Sequence, residues 1–343
     1  MTVTSGQATA GTARGRAPAP RKARRRLNSG DGRRGLLLVA PTLIMLAVVI
    51  GYPIVKAVFM SFQKDEGLNA AGMFVPGGNA GFSNYTHWLL QQCTSTVSSG
   101  TVACPPGNIA SGFYNAVWVT VLFTVITVVI EVTLGMWFAT IMNKSFRGRG
   151  LLRASVLIPW AIPTAVTAKL WLFIFNYAGI MNSVLHTHIL WTGDKWPSRF
   201  AVIIADVWKT TPFMALLILA GLQIISAEVY EAAKVDGASA WQRFVHITLP
   251  LVRPALMVAV LFRTLDVLRM FDLPYILTGG GGGSGDATTT LSILVVDQIR
   301  QGFNSAAALS TLTFLLIFAI AFFFVRFLGA NVVQTQESQR KAR

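Results

Sequence analysis

Charged residues inside long apolar segments are the first candidates for chemistry in this chain. One segment contains Asp206-Val-Trp-Lys209-Thr210, with Phe213 a turn further on, and another carries Arg263, Asp266, Arg269 and Asp272 at intervals of three. A charge at mid-bilayer costs ~2.5–3.5 kcal/mol on insertion scales, so such groups face a partner or a polar cavity. The spacing makes successive members helix neighbours of opposite sign. At about 100° per residue the first and last lie about half a turn apart, so the four cannot all face one cavity, and some pair internally or reach another subunit. Two readings stay open for each charge: structural pairing, or lining of a polar path. Glu131 and Lys169, in two other apolar segments, fit pairing between helices better than a proton relay.

Other chemistries find little support. No nucleophile, base and orienter stand in a recognisable arrangement. His186 and His188 lack the further ligands a metal site needs, so no metal is expected. The glycine run Gly279 to Gly283 lacks the lysine of a GxxxxGK[ST] phosphate loop, which occurs nowhere in the chain. Cys93 and Cys104, the only cysteines, form no zinc framework. They are a disulfide candidate if their loop faces an oxidising compartment, and two unpaired thiols otherwise.

The elements that must position these residues are membrane spans. Of 343 residues, 53% are hydrophobic and 13% charged, against about 25% charged in soluble domains, and the mean hydropathy is +0.56. Residues 1–34, rich in Ala, Gly, Pro and Arg, cannot bury enough surface to offset ordering and read as a disordered basic tail. The apolar run 35–62 exceeds a signal-peptide core of roughly 7–15 residues and reads as a retained first span. Further segments at 116–142, 152–175, 200–224, 255–277 and 305–328 are each near the ~20 residues that cross hydrocarbon. The expected fold is an all-α integral membrane protein of six transmembrane helices over 35–328, with a tail at 329–343. Pro159, Pro163 and Pro212 suit helices packed in the interior, where neighbours satisfy the released carbonyls.

A net charge of +15 raises the question of a nucleic-acid partner, but the charges are distributed otherwise. With the N-terminus inside, inner segments hold twenty Lys or Arg and outer loops four. The positive-inside rule then puts both termini in the cytoplasm. The basic tail fixes topology and is drawn to anionic membrane lipid, about 1 kcal/mol per basic residue. No nucleic-acid partner is expected. The cysteine loop falls outside, which favours the disulfide.

Between spans four and five, residues 226–253 form an inner loop containing EAAKVDGASAWQRFVHITLPLV from Glu231. It reads as two short helices with a bend. Ser226 caps the first and Glu228 complements its positive end. Asp236-Gly237 breaks it, a second helix follows over 238–246, and Pro250 and Pro254 suit the entry into span five. Ala232, Ala233, Gly237 and Ala238 are small enough to let another protein approach closely. The plain alternative is an ordinary amphipathic loop.

This stretch resembles the EAA loop of ABC importer permeases, matching at Glu231, Ala232, Ala233, Asp236, Gly237, Ala238, Phe244, Ile247, Leu249 and Pro250. The resemblance implies a type I ABC importer permease fold. It also implies that Glu231, Ala232, Ala233, Asp236 and Gly237 couple to a groove of an ATP-hydrolysing subunit. Residues 148–171, the Gly179-x-x-Asn182 element and Leu277-Thr278 before the glycine run are similar to carbohydrate-uptake permeases of the maltose and glycerol-phosphate type. The similarity covers roughly 35–330, and within the family it looks most like the first permease subunit of actinobacterial trehalose importers. Relatives often have GGP where this chain has only glycines.

By that resemblance the sugar path on span four runs past Asp206, Lys209, Thr210 and Phe213. On span five the register is ambiguous by one residue, leaving Arg263, Asp266 and Arg269 as a group. Three cations offset by Asp206, Asp266 and Asp272 suit a neutral polyhydroxyl compound better than a phosphorylated one. The implied assembly is a heterodimer with a second permease, two ATPase subunits that bind ATP and Mg, and an extracytoplasmic sugar-binding protein or lipoprotein. This chain would bind no cofactor itself and would be a non-catalytic, multi-pass protein of the bacterial plasma membrane. One rival is an ion-coupled secondary transporter of a small polar solute with Glu131, Asp206 and Lys169 as a relay. Its inverted repeats are not detectable. A membrane-embedded enzyme acting on lipid-linked sugars would need an acid and base pair at a membrane face, and none is evident.

Overall fold

The computed structural model describes residues 29–68, 74–94, 101–281 and 286–341. The tail before residue 29 lies outside the described residues. The chain divides into two compact units, residues 1–54 and 55–343. In the first unit α1 (Ser29–Leu46) passes through a π-helical turn (Ala47–Gly51) into α2 (Tyr52–Met60), whose end belongs to the second unit. The apolar stretch Leu36–Met60 has no buried residue in its most apolar window, as expected of a helix whose solvent is lipid.

The second unit begins with what the sequence marked only as a loop. Paired short strands β1 (Gln63–Lys64) with β4 (Gly78–Asn79), and β2 (Gly67–Leu68) with β3 (Phe74–Val75), precede α3 (Ser83–Leu89). A hairpin of β5 (Gln92–Thr94) and β6 (Thr101–Ala103) follows, closed by a Cys93–Cys104 disulfide. This subdomain is pinned to the last helix, α14 (Phe303–Lys341). Asp65 accepts the backbone N–H of Asn304 at 2.5 Å and of Ser305 at 2.9 Å, placing a carboxylate on the positive helix end. Trp88, fully buried, donates to the Ser305 carbonyl.

The helical body is built on α4 (Phe113–Asn143) lying along α8 (Lys195–Gln223). Gly135 permits that approach, since a Cβ there would sit 3.0 Å from the Met214 Cβ. Gly221 does the same for α11 (Leu249–Val267), where a Cβ would meet Ala255 at 2.4 Å. Small residues at crossings are how membrane helices bring their backbones into van der Waals contact.

The expected third span is not one rod. α5 (Arg149–Ala161) and α6 (Thr164–Ile174) meet at 90° across Pro163. With 13 and 11 residues, each falls short of the ~30 Å hydrocarbon core at ~1.5 Å per residue. Among the described residues, five helices are long and apolar enough to cross a membrane, and a sixth span results only if this bent pair counts as one. After α6, α7 (Ile180–Leu185) is fixed by buried Asn182, which donates to the Tyr177 and Ile189 carbonyls and accepts from Trp191 Nε1.

Span five also departs from expectation. α9 (Ala227–Val235) precedes α10 (Ala240–Arg243). The separate helix expected over 238–246 is instead the start of one continuous helix, Ala240–Val267, joined through a π turn at Phe244–Thr248. Pro250 has no N–H for the ordinary ladder, and the bonding shifts to five residues just before it, Leu249 N–H to the Phe244 carbonyl. The helix then ends ten residues short of the expected 277, breaks at 268–271, and resumes as α12 (Asp272–Thr278). α13 (Leu291–Ile299) completes the unit, and α14 continues as backbone helix through the expected C-terminal tail.

Candidate functional site

Arg263 on α11 is buried at 2% exposure and is gripped by three carboxylates from three helices. Its Nε donates to Glu131 Oε2 at 2.5 Å and its Nη2 to Glu131 Oε1 at 3.0 Å. Nη2 also donates to Asp206, and Nη1 to Asp266. Thr210 Oγ1 lies 2.5 Å from Glu131 Oε1 and 2.6 Å from the Asp206 carbonyl, so its one proton is shared between them. α4, α8 and α11 are thereby tied at one point. Glu131 is a hub that its isolation in an apolar run marked as a pairing residue, without identifying the partner.

Lys209 has a different role from the one its spacing implied. Although Asp206, Asp266 and Asp272 line the same cavity, its Nζ donates to the Ile162 carbonyl at 2.5 Å, at the break between α5 and α6. Pro163 cannot continue the helix, and the lysine satisfies the carbonyl so released. The expected Asp206–Lys209 offset is not a direct pair, because Arg263 takes Asp206. Phe213, one turn on, stacks on Trp160 of α5 with ring centres 5.7 Å apart.

A cavity of about 320 Å³ opens at these two helix breaks. Asp206, Lys209, Thr210, Arg263, Asp266 and Arg269 all line it, as do Asp272, Thr164 and the backbone turn 270–273. Phe213 does not. The expectation that Arg263, Asp266, Arg269 and Asp272 cannot share a cavity fails because α11 ends at Val267, so the angular rule of one helix does not carry across the break. Asp266 (65% exposed side chain), Arg269 and Asp272 present their polar ends to the opening. Three carboxylates and three cations line it. Arg263 has committed four of its five donors, so the remaining hydrogen-bonding capacity lies in free carboxylate oxygens and in the exposed guanidinium of Arg269, of which Nε alone is taken, by the Leu265 carbonyl.

The bent segment before span five lies at the surface. α9 ends in a Schellman motif: Gly237 has φ +75°, the Ala238 N–H reaches the Ala233 carbonyl and the Gly237 N–H that of Lys234. Ser226 occupies the N-cap position of α9 without a side-chain hydrogen bond. The side-chain cap belongs to α10, where Ser239 and Gln242 form a capping box. That Ser-x-x-Gln pattern was readable and was missed. Glu231, Ala232, Asp236 and Gly237 are exposed and Ala233 is half-buried, while Val235 and Trp241 stand out at 88% and 71%. Lys169 is exposed on α6 with no partner among the described residues, so the Glu131, Asp206 and Lys169 relay is not assembled. The pairing expected of Lys169 is absent as well.

A helical membrane unit with a charged cavity at two helix breaks and a bent, exposed, small-residue segment defines a solute permease of the kind moved by another subunit. The family model described as "Binding-protein-dependent transport system inner membrane component" matches residues 131–334, and the chain belongs to that family. The trehalose/maltose transport system permease protein MalF of Thermococcus litoralis is 39% identical over 307 residues, spanning 88% of this chain and 95% of that protein. The trehalose transport system permease protein SugA of Mycobacterium tuberculosis is 36% identical over 315 residues, spanning 90% and 93%. A chain from the crystal structure of a bacterial ABC transporter involved in import of the acidic polysaccharide alginate shares the fold, with a TM-score of 0.69 at 19% identity over 88% of this chain and 98% of that one. The protein is a membrane-embedded, non-catalytic permease component of an ABC sugar importer, with ATP hydrolysed on separate subunits.

Proposed function

We propose that this chain pairs with a second permease to form the import path for a neutral sugar, a disaccharide such as trehalose. The observation that carries this reading is the cavity at the breaks of α5–α6 and α11–α12, where three carboxylates balance three cations. Sugar hydroxyls donate to free carboxylate oxygens, whereas a phosphate would need surplus cations. The substrate path consists of Asp206, Thr210, Asp266 and Arg269, with Lys209 and Arg263 holding its walls. The names of the relatives, trehalose/maltose and trehalose systems, favour the disaccharide.

In the same reading both termini are cytoplasmic, and Glu231, Ala232, Ala233, Asp236 and Gly237 dock on one of two ATPase subunits that hold ATP and Mg. An extracytoplasmic binding protein delivers the sugar to the opposite face, and this chain holds no cofactor. Closing of the ATPases moves α9 and switches access from one face to the other as a rigid-body transition. The test is ATP hydrolysis by the complete complex in vesicles with its binding protein and a panel of sugars. Trehalose should stimulate at least tenfold more than glycerol phosphate at equal concentration. Stimulation by the phosphorylated compound alone would sink the neutral-sugar reading.

A further inference from the structure

Behind the coupling helix lies a second cavity, of about 600 Å³, separate from the charged one. It is enclosed by the α4–α5 connection, the end of α8, and the inner sides of α9 and α10. Lys144, Lys234 and Arg243 line it, and no carboxylate does. None of the three forms an ion pair among the described residues; Arg243 is oriented by donating Nη1 to the Ala238 carbonyl. Asn143, Ser145 and Tyr230 add neutral donors, while Leu222 and Phe244 supply an apolar wall. Next to it, Arg153 donates to the Met142 carbonyl at 2.9 Å and keeps a buried Nε with no partner.

The two sides of α9 are chemically distinct. Ala227, Tyr230 and Lys234 recur at helical spacing and face the cavity. Glu228, Glu231, Ala232 and Val235 are exposed and do not line it. The acidic residues of this element therefore do not neutralise the cavity. Like-charged groups converge there beside an apolar wall. Basic pockets between span ends suit phosphate-bearing headgroups, and lysine serves as a point-charge phosphate binder.

We propose that this cavity binds a phosphate group, carried by an acidic phospholipid or free in solution, and that the bound anion braces α9 against the α4–α5 connection. Its location at the inner leaflet rests on the topology proposed above; the binding itself does not. The phosphate bridges Lys144, on one side of the cleft, to Lys234 and Arg243 on the other.

The test uses the full-length chain in its complete complex. One arm places it in discs of phosphatidylcholine with or without phosphatidylglycerol and counts retained lipid by native mass spectrometry. The other offers inorganic phosphate to complexes in neutral discs and measures binding by phosphorus NMR. Phosphatidylglycerol retained in preference to phosphatidylcholine assigns the lipid, and saturable phosphate binding in neutral discs assigns the soluble anion. In either case Lys144→Glu should weaken binding at least tenfold and Lys144→Arg should restore it. Asn143→Asp is a second variant, expected to weaken binding without touching the cations. Neither anion bound, or binding indifferent to Lys144→Glu and Asn143→Asp, overturns the proposal. Because these readouts involve no transport, they stand even if the sugar assignment fails.

Discussion

Arg263 divides the charged residues of the spans into those that hold the protein together and those that remain available. Removing one partner of a buried ion pair costs about 3–5 kcal/mol, because the other charge is left uncompensated. Glu131→Gln leaves Arg263 with Asp206 and Asp266, so the loss should fall at the lower end of that range or below it. It should appear as a lowered thermal midpoint of the solubilised complex. Asp266→Asn should behave differently. Its side chain is mostly exposed, so the midpoint should move little while sugar uptake falls at least fivefold. Normal uptake by that variant would remove Asp266 from the path. Lys209→Ala belongs with the structural group, since it strips the cap from the Ile162 carbonyl, and it should lower the midpoint and uptake together.

At the scale of elements, Gly237 separates strain from docking. Nothing lies within 4 Å of a Cβ built there, yet φ is +75°. Gly237→Ala therefore carries only the left-handed conformational cost, about 1–2 kcal/mol, and should leave ATPase subunits bound. Gly237→Phe adds bulk to the exposed turn and should abolish their co-purification while membrane insertion persists. Equal co-purification by both variants would count against a docking role. This turn was legible because the left-handed position selects glycine, whereas the α5–α6 break was not, since Pro163 reads equally as a proline tolerated inside one packed span. The 90° angle was not legible, because it is held by Lys209, 47 positions from Ile162. The break in span five carried one local mark, Pro274, which has no N–H to offer the Met270 carbonyl. Leu268, Arg269 and Met270 are good helix formers, and the turn is held from 20 residues away, by Thr290 Oγ1 donating to the Met270 carbonyl. Treating the four charges as residues of one continuous helix, unable to share a cavity, failed for that reason.

For the molecule as a whole, the proposed coupling requires movement at α9 and α10 to reach the charged cavity. Ala240–Val267 is a single helix of 28 residues, about 42 Å long at 1.5 Å per residue. It begins just after the Gly237 turn and ends at the charged cavity, carrying Arg263 and Asp266 in its last turns. Its ladder is interrupted at the π turn and at Pro250 and Pro254, and beyond them the helix is a rod that transmits rotation to the cavity only while the remaining ladder holds. Val258 lies near its middle and is 47% exposed, so a change there alters the rod more than the core. Val258→Pro removes a ladder bond and costs about 3 kcal/mol of helix, whereas Val258→Ala keeps the ladder intact. The proline variant should assemble with its partner subunits and hydrolyse ATP at the basal rate, yet lose most of the stimulation by sugar and binding protein. The alanine variant should retain it. Sugar-stimulated hydrolysis preserved in an assembled Val258→Pro complex would mean that the signal travels by another route, through α8 and the Arg263 tie rather than along the rod.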